Sequence, residues 1–282
     1  MSAWRRSSPV SDWRSLLAEI AVPRRTGSAV HAGVREILRR ELGARGLVVM
    51  EHAFRGRASP WLRGVRSEEI EGVNVVGVRP RARVTVWLVA HYDSKGQPLS
   101  MLGRLAALPV SLLLNQVTDR SPGAVDNATG VLTVFAILDQ LPPEVPVGVV
   151  FSDAEEIGLV GARALVRDRP QLLHDTAVIN FDGIDDMGTT FAFQHRPGPV
   201  GQGVALALGI APRPWLPVVV DGIALRRAAG ECLTLLRGDW RTMRVVHTPE
   251  DAPDRLTLTG VDRVASAVAR AVSSVALGHV RS

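Results

Sequence analysis

The segment PVGVVFSDAEE (residues 146–156) joins an uninterrupted apolar run to three acidic residues that follow it closely. Short Val-rich runs without polar alternation are typical of strands that are buried on both faces of a sheet. Asp153, Glu155 and Glu156 come where the run ends and the helical pattern EEIGLVGARALVRD (155–168) begins. The segment therefore predicts a buried strand that leads into a helix, with acidic side chains at the junction.

The same alternation of strands and helices continues along the rest of the chain. Further strands are predicted within residues 46–54, 72–80, 83–93, 175–182, 188–195, 214–221 and 231–236. Further helices are predicted within residues 11–20, 29–46, 126–141, 198–210 and 258–277. This order favours an α/β fold with a mixed, mostly parallel central sheet and helices on both faces. Because no repeat or low-complexity linker interrupts it, we expect one domain over residues 1–282.

Composition narrows the class of protein. The chain has 46% hydrophobic and 22% charged residues, as an ordinary globular protein does. Its net charge of +5 comes from scattered arginines, with Lys95 as the only lysine, so we expect no nucleic-acid partner. Cys232 is the only cysteine, which excludes an intramolecular disulfide and a cysteine-rich zinc cluster. The first residues lack the apolar core of a signal peptide, so we expect a cytoplasmic protein.

Polar side chains follow several of the predicted strands directly. Ligands of open α/β sheets bind beyond the carboxyl ends of the strands, where such residues meet. The residues found there are His91 and Asp93, Asp126, Glu155 and Glu156, Asp182, and His247. Nitrogen and oxygen donors of this kind suit zinc or a similar divalent ion. The excess of carboxylates suits two ions that share a bridging ligand.

Each of these residues also has a local structural explanation. Asp126 could cap the helix that follows it, and Glu155 and Glu156 could interact with a helix dipole. His91 could be a hydrogen-bonded histidine at a strand end, and Asp182 could close a turn with Gly183. The sequence TPED (248–251) is a good helix start with proline at its first position. None of these explanations accounts for the coincidence of all the residues with strand ends. At the last helix, Thr259 and Asp262 have the spacing of a capping box. His195 also follows a strand, but it is not included among the candidate site residues.

The ordered motifs resemble one family over nearly the whole chain. They are PRRTGS, NVVGVRP, AHYDSKGQ, GAVDNATGV, FSDAEEIGLVGAR, NFDGID and HTPEDAPDRL. In this order they resemble the co-catalytic zinc aminopeptidases, a family that also includes glutamate carboxypeptidases and glutaminyl cyclases. The resemblance implies a zinc-dependent exopeptidase fold and a site with two divalent metal ions, most simply Zn²⁺.

The resemblance also implies a role for each candidate residue. Asp126 would bridge the two ions, with a cis peptide bond between Asp126 and Asn127. His91 and Asp182 would complete one metal site, and Glu156 and His247 would complete the other. Glu155 would be the general base, and Asp93 would orient His91 through the second nitrogen of its ring.

Two departures from the family pattern affect the substrate pocket. Many of these peptidases use a tyrosine to stabilise the oxyanion, whereas the only tyrosine here is Tyr92, inside the first motif. The metal ions, or Arg241 or Arg244 near His247, would have to replace it. In the region 217–236, Gly222 and Leu225 stand where the family has histidine and phenylalanine, and Glu231-Cys232 stands where it has Ile-Pro, which bears on the aminopeptidase assignment.

An apolar insert at about 97–120 separates the first two metal-binding motifs. We expect it to form a flap beside the active site, with a core helix or a peripheral membrane or protein contact through residues 100–117 as alternatives. The whole pattern predicts a metal-dependent hydrolase that cleaves an amide bond with a water activated by two metal ions. An aminopeptidase acting on small peptides or modified amino acids fits best. The alternatives are a one-zinc acyltransferase resembling glutaminyl cyclase and a non-catalytic binding module that keeps the fold.

Overall fold

The computed structural model describes residues 12–58, 69–80, 83–95 and 121–278. The apolar insert predicted at about 97–120, with its possible contact through residues 100–117, lies outside the described residues. The residues that carry the candidate site all lie within the described ranges.

Seven strands of the described chain form one sheet in the order β1-β2-β4-β3-β5-β7-β6. The strands are β1 (Val48–Arg57), β2 (Glu69–Val78), β3 (Val86–His91), β4 (Val147–Ser152), β5 (Ala177–Ile184), β6 (Thr189–Arg196) and β7 (Glu231–Gly238). Strand β3 pairs in parallel with β4 and β5, and β5 pairs in parallel with β7. The outer pairs β1–β2, β2–β4 and β6–β7 are antiparallel. The mixed sheet with a parallel centre confirms the predicted architecture.

Helices cover both faces of this sheet. They are α1 (Trp13–Ile20), α2 (Ala29–Ala44), α3 (Thr129–Gln140), α4 (Val160–Asp168), α5 (Pro170–Leu173), α6 (Pro199–Leu208), α7 (Gly222–Leu225), α8 (Trp240–Val245) and α9 (Thr259–Gly278). On one face, Leu88 packs in a cluster with residues of α1, α2, α3, α6 and α9. On the other face, its neighbours Trp87 and Val89 pack with residues of α4, α5 and α7. Alternate residues of β3 thus enter opposite cores, as a strand buried on both faces requires.

The strand predicted at 214–221 is wrong. Only Arg213 makes an isolated bridge, to Phe193, and residues 214–220 have an irregular backbone. Pro214 and Pro217 lack the N–H group that a ladder needs, so this Val-rich stretch cannot pair as a central strand. Residues 216–220 line a cavity instead.

The capping box predicted at Thr259 and Asp262 is also replaced by another arrangement. The backbone N–H of Asp262 binds the carbonyl of Leu258, and the start of α9 is held by the side chain of Asp186. Asp186 accepts the N–H groups of Leu258 at 3.1 Å and Gly260 at 2.9 Å. A carboxylate at a helix N-terminus satisfies free donors there, and here it comes from the loop after β5.

Among residues 12–58, 69–80, 83–95 and 121–278, no helix combines the length and hydropathy needed to cross a bilayer.

Candidate metal centre

The candidate residues meet at the carboxyl edge of the parallel strands. His91 is the last residue of β3, and Asp182 lies near the end of β5. Glu155 and Glu156 follow β4, and His247 follows α8. Asp126 lies in a short kinked turn, Ala124–Ala128, that leads into α3. The sheet order places β4, β3 and β5 side by side, which brings these distant segments together.

Asp126 is the residue that the two halves of the site share. Its Oδ1 lies 3.0 Å from His91 Nε2, and its Oδ2 lies 2.9 Å from His247 Nε2. The peptide bond between Asp126 and Asn127 is cis, as the resemblance implies. Asp126 has φ −112° and ψ 87°, so the carboxylate is presented from a non-helical backbone and does not cap α3 as a simple N-cap residue would.

The remaining side chains complete two groups of three. Asp182 Oδ1 lies 4.0 Å from His91 Nε2, and Glu156 Oε1 lies 3.2 Å from His247 Nε2. In each group, one donor atom per residue lies within 4.8 Å of the other two. The groups are His91, Asp126 and Asp182, and Asp126, Glu156 and His247.

The donor atoms of these groups fit a divalent cation. His91 Nε2, Asp126 Oδ1 and Glu156 Oε1 are buried, and apart from the close histidine–carboxylate contacts within the two groups they have no hydrogen-bond partner in the described ranges. Buried polar atoms without partners are costly, and a metal ion is one way in which such atoms are satisfied. Histidine nitrogens and carboxylate oxygens are also the donors that zinc sites use. The residues present therefore suit one ion in each group.

The carboxylates of the site and its burial shift the pKa values of His247 and Asp182. Burial lowers the pKa of His247, but the charges and hydrogen bonds of Glu156 and Asp126 together outweigh burial and raise that pKa to about 10. Burial raises the pKa of Asp182 to about 8, with the charge of Asp126 adding to the effect. The side chains of His247 and Asp182 are therefore both protonated at neutral pH when no cation is bound. A metal ion has to displace those protons.

Asp93 connects the histidine of β3 with the two glutamates after β4. One of its carboxylate oxygens lies 3.4 Å from His91 Nδ1. The same carboxylate accepts the backbone N–H of Glu155 at 3.1 Å and of Glu156 at 3.2 Å. The sequence resemblance implied only the contact with His91. The structure shows that this buried carboxylate also fixes the turn that carries Glu155 and Glu156, which we call the glutamate turn.

The glutamate turn is not the start of a helix. Helix α4 begins at Val160, five residues after Glu155. Ala154 and Leu159 both have φ of 57°, and Gly158 has φ of 120°, so the intervening backbone leaves the helical region. The prediction of a helix over 155–168 is therefore wrong at its N-terminal end, and a helix-dipole role for the two glutamates is excluded.

Glu155 faces the cleft without belonging to either group of three. Its side chain is 7% exposed and lines the same cavity as Asp126, Glu156, Asp182 and His247. Burial, together with Asp182 and the other surrounding carboxylates, raises the pKa of Glu155 well above its usual range. A carboxyl group with a raised pKa is suited to accept and return a proton near neutral pH.

Two buried residues that position the site were not recognised in the sequence. Asp251 accepts the N–H of Val125 at 2.7 Å and of Asp126 at 3.2 Å, where the sequence favoured a helix start. Arg24 donates to the carbonyls of Tyr92 at 2.7 Å and Gly123 at 3.0 Å. Burial lowers the pKa of Arg24 to about 10, which still leaves it charged at neutral pH. Both residues hold the loops that carry His91 and Asp126, and only the fold brings them there.

A cavity of about 610 Å³ opens beside the metal-binding residues. Its walls are mostly apolar and include Leu216, Pro217, Val218, Val219, Val220, Phe191, Leu236, Trp240, Met243 and Val246. Lys95, Arg213 and Arg237 also line the cavity, and the ammonium group of Lys95 lies 3.4 Å from the backbone carbonyl of Glu156. Arg241 and Arg244, the sequence-based candidates for stabilising an oxyanion, are exposed and stack on Trp240 at 5.6 and 5.4 Å. Neither of them is among the described residues that line the cavity.

Comparison with solved structures finds the same fold in zinc enzymes and glutaminyl cyclases. A glutaminyl cyclase from Porphyromonas gingivalis matches with a TM-score of 0.70 and 19% identity, over 93% of this chain and 96% of that one. A zinc aminopeptidase from Bacillus subtilis matches with a TM-score of 0.68 and 14% identity, over 93% and 94%. A Zn-dependent exopeptidase from Parabacteroides distasonis matches with a TM-score of 0.70 and 17% identity, over 93% and 96%.

Sequence comparison places the chain in a family. No curated protein shows a significant match to it. The sequence model of peptidase family M28, however, matches residues 74–272, a range that contains all seven candidate site residues. Since the match covers well over half of the chain, and the fold agrees with it, the protein belongs to peptidase family M28.

Proposed function

We propose that the protein is a metal-dependent hydrolase that cleaves amide bonds, and that it acts as an aminopeptidase on small peptides or modified amino acids. The observation that carries the proposal is the position of Asp126, whose two carboxylate oxygens each lie about 3 Å from a histidine of a different three-residue group. A bridged pair of sites of this kind is the arrangement used for two-metal hydrolysis. Membership of peptidase family M28 supports the same chemistry.

The proposed ligands follow from the two groups. His91, Asp126 and Asp182 would hold one divalent ion, and Asp126, Glu156 and His247 would hold the other, with Zn²⁺ as the ion that these donors suit. When bound, the ions would polarise the substrate carbonyl and lower the pKa of the attacking water. Asp93 would keep His91 in the orientation and tautomer that leave Nε2 free to bind metal.

Glu155 would move the proton of the reaction. Its carboxylate lies in the cavity beside both groups, and its backbone is fixed by Asp93. In the proposed reaction, Glu155 accepts a proton from the attacking water. It then donates that proton to the nitrogen of the leaving amine as the C–N bond breaks. Proton transfer by a positioned side chain contributes about 10²- to 10⁴-fold to the rate.

The cavity would bind the substrate residue next to the scissile bond. Its walls include residues 216–220 of the irregular segment and Trp240 and Met243 of α8, and they are largely apolar. A side chain with a large apolar surface would gain roughly 25 cal/mol for each Å² that it buries there. We therefore expect substrates with large apolar side chains to be cleaved faster than those with charged ones.

An acyltransferase that resembles glutaminyl cyclase remains the second candidate. A glutaminyl cyclase and a zinc aminopeptidase match this fold almost equally, with TM-scores of 0.70 and 0.68, so the fold does not choose between them. Metal content separates the two candidates. About one zinc per chain, with His91 unliganded, would favour the acyltransferase, and two bridged ions would favour the hydrolase.

The decisive experiment is a substrate screen on protein of measured metal content. Aminoacyl amides, N-acylated amino acid amides and peptides with N-terminal glutamine would be tested in parallel, with the metal-free protein as the control. Metal-dependent cleavage of substrates that have a free amino group supports the aminopeptidase. Cleavage of N-acylated substrates alone would reject the aminopeptidase and retain the hydrolase. Cyclisation of glutamine without hydrolysis would reject both.

A further inference from the structure

Amide hydrolysis through a tetrahedral intermediate needs a donor for the oxygen that becomes negatively charged. Tyr92, the only tyrosine of the chain, is buried, and its hydroxyl donates to the carbonyl of Val73 at 2.7 Å. The Tyr92 hydroxyl therefore cannot donate to an oxyanion in the cavity. Arg241 and Arg244 are exposed and stack on Trp240. The described part of the cavity must supply this donor from elsewhere if the protein chain contributes one.

Lys95 has the position and the chemistry for this task. It is the only lysine among the 33 basic residues of the chain, and it lies four residues after His91. Its side chain is 7% exposed and lines the same cavity as Glu155, Asp182 and His247. A lysine is rarely buried without a charged partner, so its burial in the wall of an acidic site calls for an explanation.

The ammonium group of Lys95 has more N–H donors than it has hydrogen bonds to the described residues. Its hydrogen bond within the described ranges goes to the backbone carbonyl of Glu156, at a long 3.4 Å. An ammonium group carries three N–H donors, and its charge strengthens any bond to an anionic oxygen. No salt bridge of Lys95 with a carboxylate is formed among the described residues. Its contact with Glu156 places the group beside the half of the site formed by Asp126, Glu156 and His247.

We propose that Lys95 is a catalytic residue that donates a hydrogen bond to the substrate carbonyl oxygen and stabilises the oxyanion that forms there. The inference rests on the proposed amide hydrolysis. Water adds to the carbonyl carbon and gives a proton to Glu155, while the C=O π electrons move to the oxygen that faces Lys95. The intermediate then re-forms the carbonyl as the C–N bond breaks and the amine takes the proton from Glu155. Lys95 keeps its own protons throughout.

This role differs from a purely structural one in its consequences. If Lys95 only supported the Glu156 carbonyl, a neutral donor of similar reach would replace it, and the main effect of removing it would be on metal affinity. An oxyanion donor instead acts in the transition state, so its loss lowers kcat much more than it raises KM. Removal of one such donor costs about 10²- to 10³-fold in kcat.

The test compares three substitutions of Lys95 with one control. Lys95→Met removes the donor, Lys95→Gln keeps a neutral donor, and Lys95→Arg keeps a charged donor. Arg244→Gln is the control, because Arg244 is a cation near the cavity that stacks on Trp240 and does not line the cavity. Each protein is first analysed for metal content and thermal unfolding. Then kcat, KM and the inhibition constant of a tetrahedral phosphinic peptide are measured.

The expected result is a fall in kcat of about 10²- to 10³-fold for Lys95→Met and Lys95→Gln, with full metal content and KM within a few-fold of wild type. Lys95→Arg should recover part of the loss, and Arg244→Gln should behave as wild type. The affinity for the inhibitor should fall in proportion to kcat/KM across the variants, as expected for a residue that binds the transition state.

Four results would overturn the inference. Activity of Lys95→Met within about threefold of wild type would show that no donor was removed, since such a loss is far below the cost of an oxyanion donor. Recovery by Lys95→Gln, or loss of metal in step with activity, would show a structural role. A rise in KM restricted to substrates with a free carboxylate would show that Lys95 binds that carboxylate. If wild-type protein hydrolyses no amide at all, the proposed function fails, and this inference fails with it.

Discussion

The side chain of Asp251 accepts the backbone N–H of Asp126 at 3.2 Å, so the loop that follows His247 holds the residue shared by both metal-binding groups. The second oxygen of the same carboxylate accepts the N–H of Val125 at 2.7 Å. Asp251 is fully buried. One carboxylate thus sets the distance between two segments that are 125 residues apart in sequence.

The first prediction concerns this contact. Asp251→Asn keeps one acceptor oxygen but replaces the other with a donor, which would face a backbone N–H. We expect metal affinity to fall about 10- to 100-fold, as for other residues that orient metal ligands. Competition with a chromophoric chelator would measure the change. Asp254→Asn, at an exposed position three residues further on, is the matched control, and equal affinities for the two variants would contradict the prediction.

The second prediction concerns the proton-transfer residue. Glu155→Gln keeps the size and the hydrogen-bonding backbone of the residue but removes its ability to accept a proton. We expect kcat to fall by about 10²- to 10⁴-fold while metal content is unchanged, because Glu155 belongs to neither metal-binding group. Steady-state kinetics and metal analysis would be run beside Glu144→Gln, which alters an exposed glutamate. Unchanged activity with metal bound would refute the proposed mechanism.

The third prediction concerns proton release when the metal-free protein binds zinc. The pKa of His247 is raised to about 10 and that of Asp182 to about 8, so both residues are protonated at pH 7. Both protons have to leave before these residues can bind a metal ion. Zinc binding at pH 7 should therefore release protons, and zinc affinity should increase as the pH rises from 7 towards 10.

Titration calorimetry measures this release directly. Zinc would be titrated into the protein in buffers that differ in their enthalpy of ionisation. The observed enthalpy should change with the buffer, with a slope equal to the number of protons released. The same titration of Asp182→Asn should show a smaller slope, because one titrating ligand is removed. A wild-type enthalpy that is independent of the buffer would show that the ligands are already deprotonated.

The fourth prediction concerns stability in acid. Burial lowers the pKa of His195 to about 4, below the value of 6.5 that it has when exposed. The folded state therefore holds His195 neutral, and the unfolded state takes up a proton first as the pH falls. The contribution of His195 to the free energy of unfolding is complete above pH 6.5 and declines as the pH falls from 6.5 to about 4.

Denaturant unfolding at pH 7.5 and pH 5 tests this prediction. His195→Gln should lose less stability between the two pH values than wild type, because the variant has no imidazole to protonate at this position. The midpoint of unfolding is the measurement. His174→Gln serves as the control, since 72% of the His174 side chain is exposed. Equal losses of stability between pH 7.5 and pH 5 in wild type and His195→Gln would show that His195 does not contribute to the pH dependence of unfolding.

Local patterns were sufficient to predict the sheet and the polar residues at its edge. The Val-rich run before Asp153 is the buried strand β4, and the run that ends in His91 is its parallel neighbour β3. Burial on both faces leaves a continuous apolar signal in the sequence, and parallel strands end at a common edge. For that reason His91, Glu156 and Asp182 could be named before the fold was known, whereas Asp126 lies in a turn before α3 and His247 follows α8, so the ordered sequence motifs were needed to name them. Their roles as ligands and base remain predictions.

Other features depend on contacts between distant segments. The sequence shows Arg24 as one of many scattered arginines and Asp251 as part of a helix start, yet both are buried where they bind the backbone of the loops around His91 and Asp126. The Val-rich segment 214–220 looks like a strand, but its prolines cannot pair and it forms a wall of the cavity. Short-range periodicity reports which face of an element is apolar. It does not report which backbone groups of another segment a side chain will meet, and that was decided by tertiary packing.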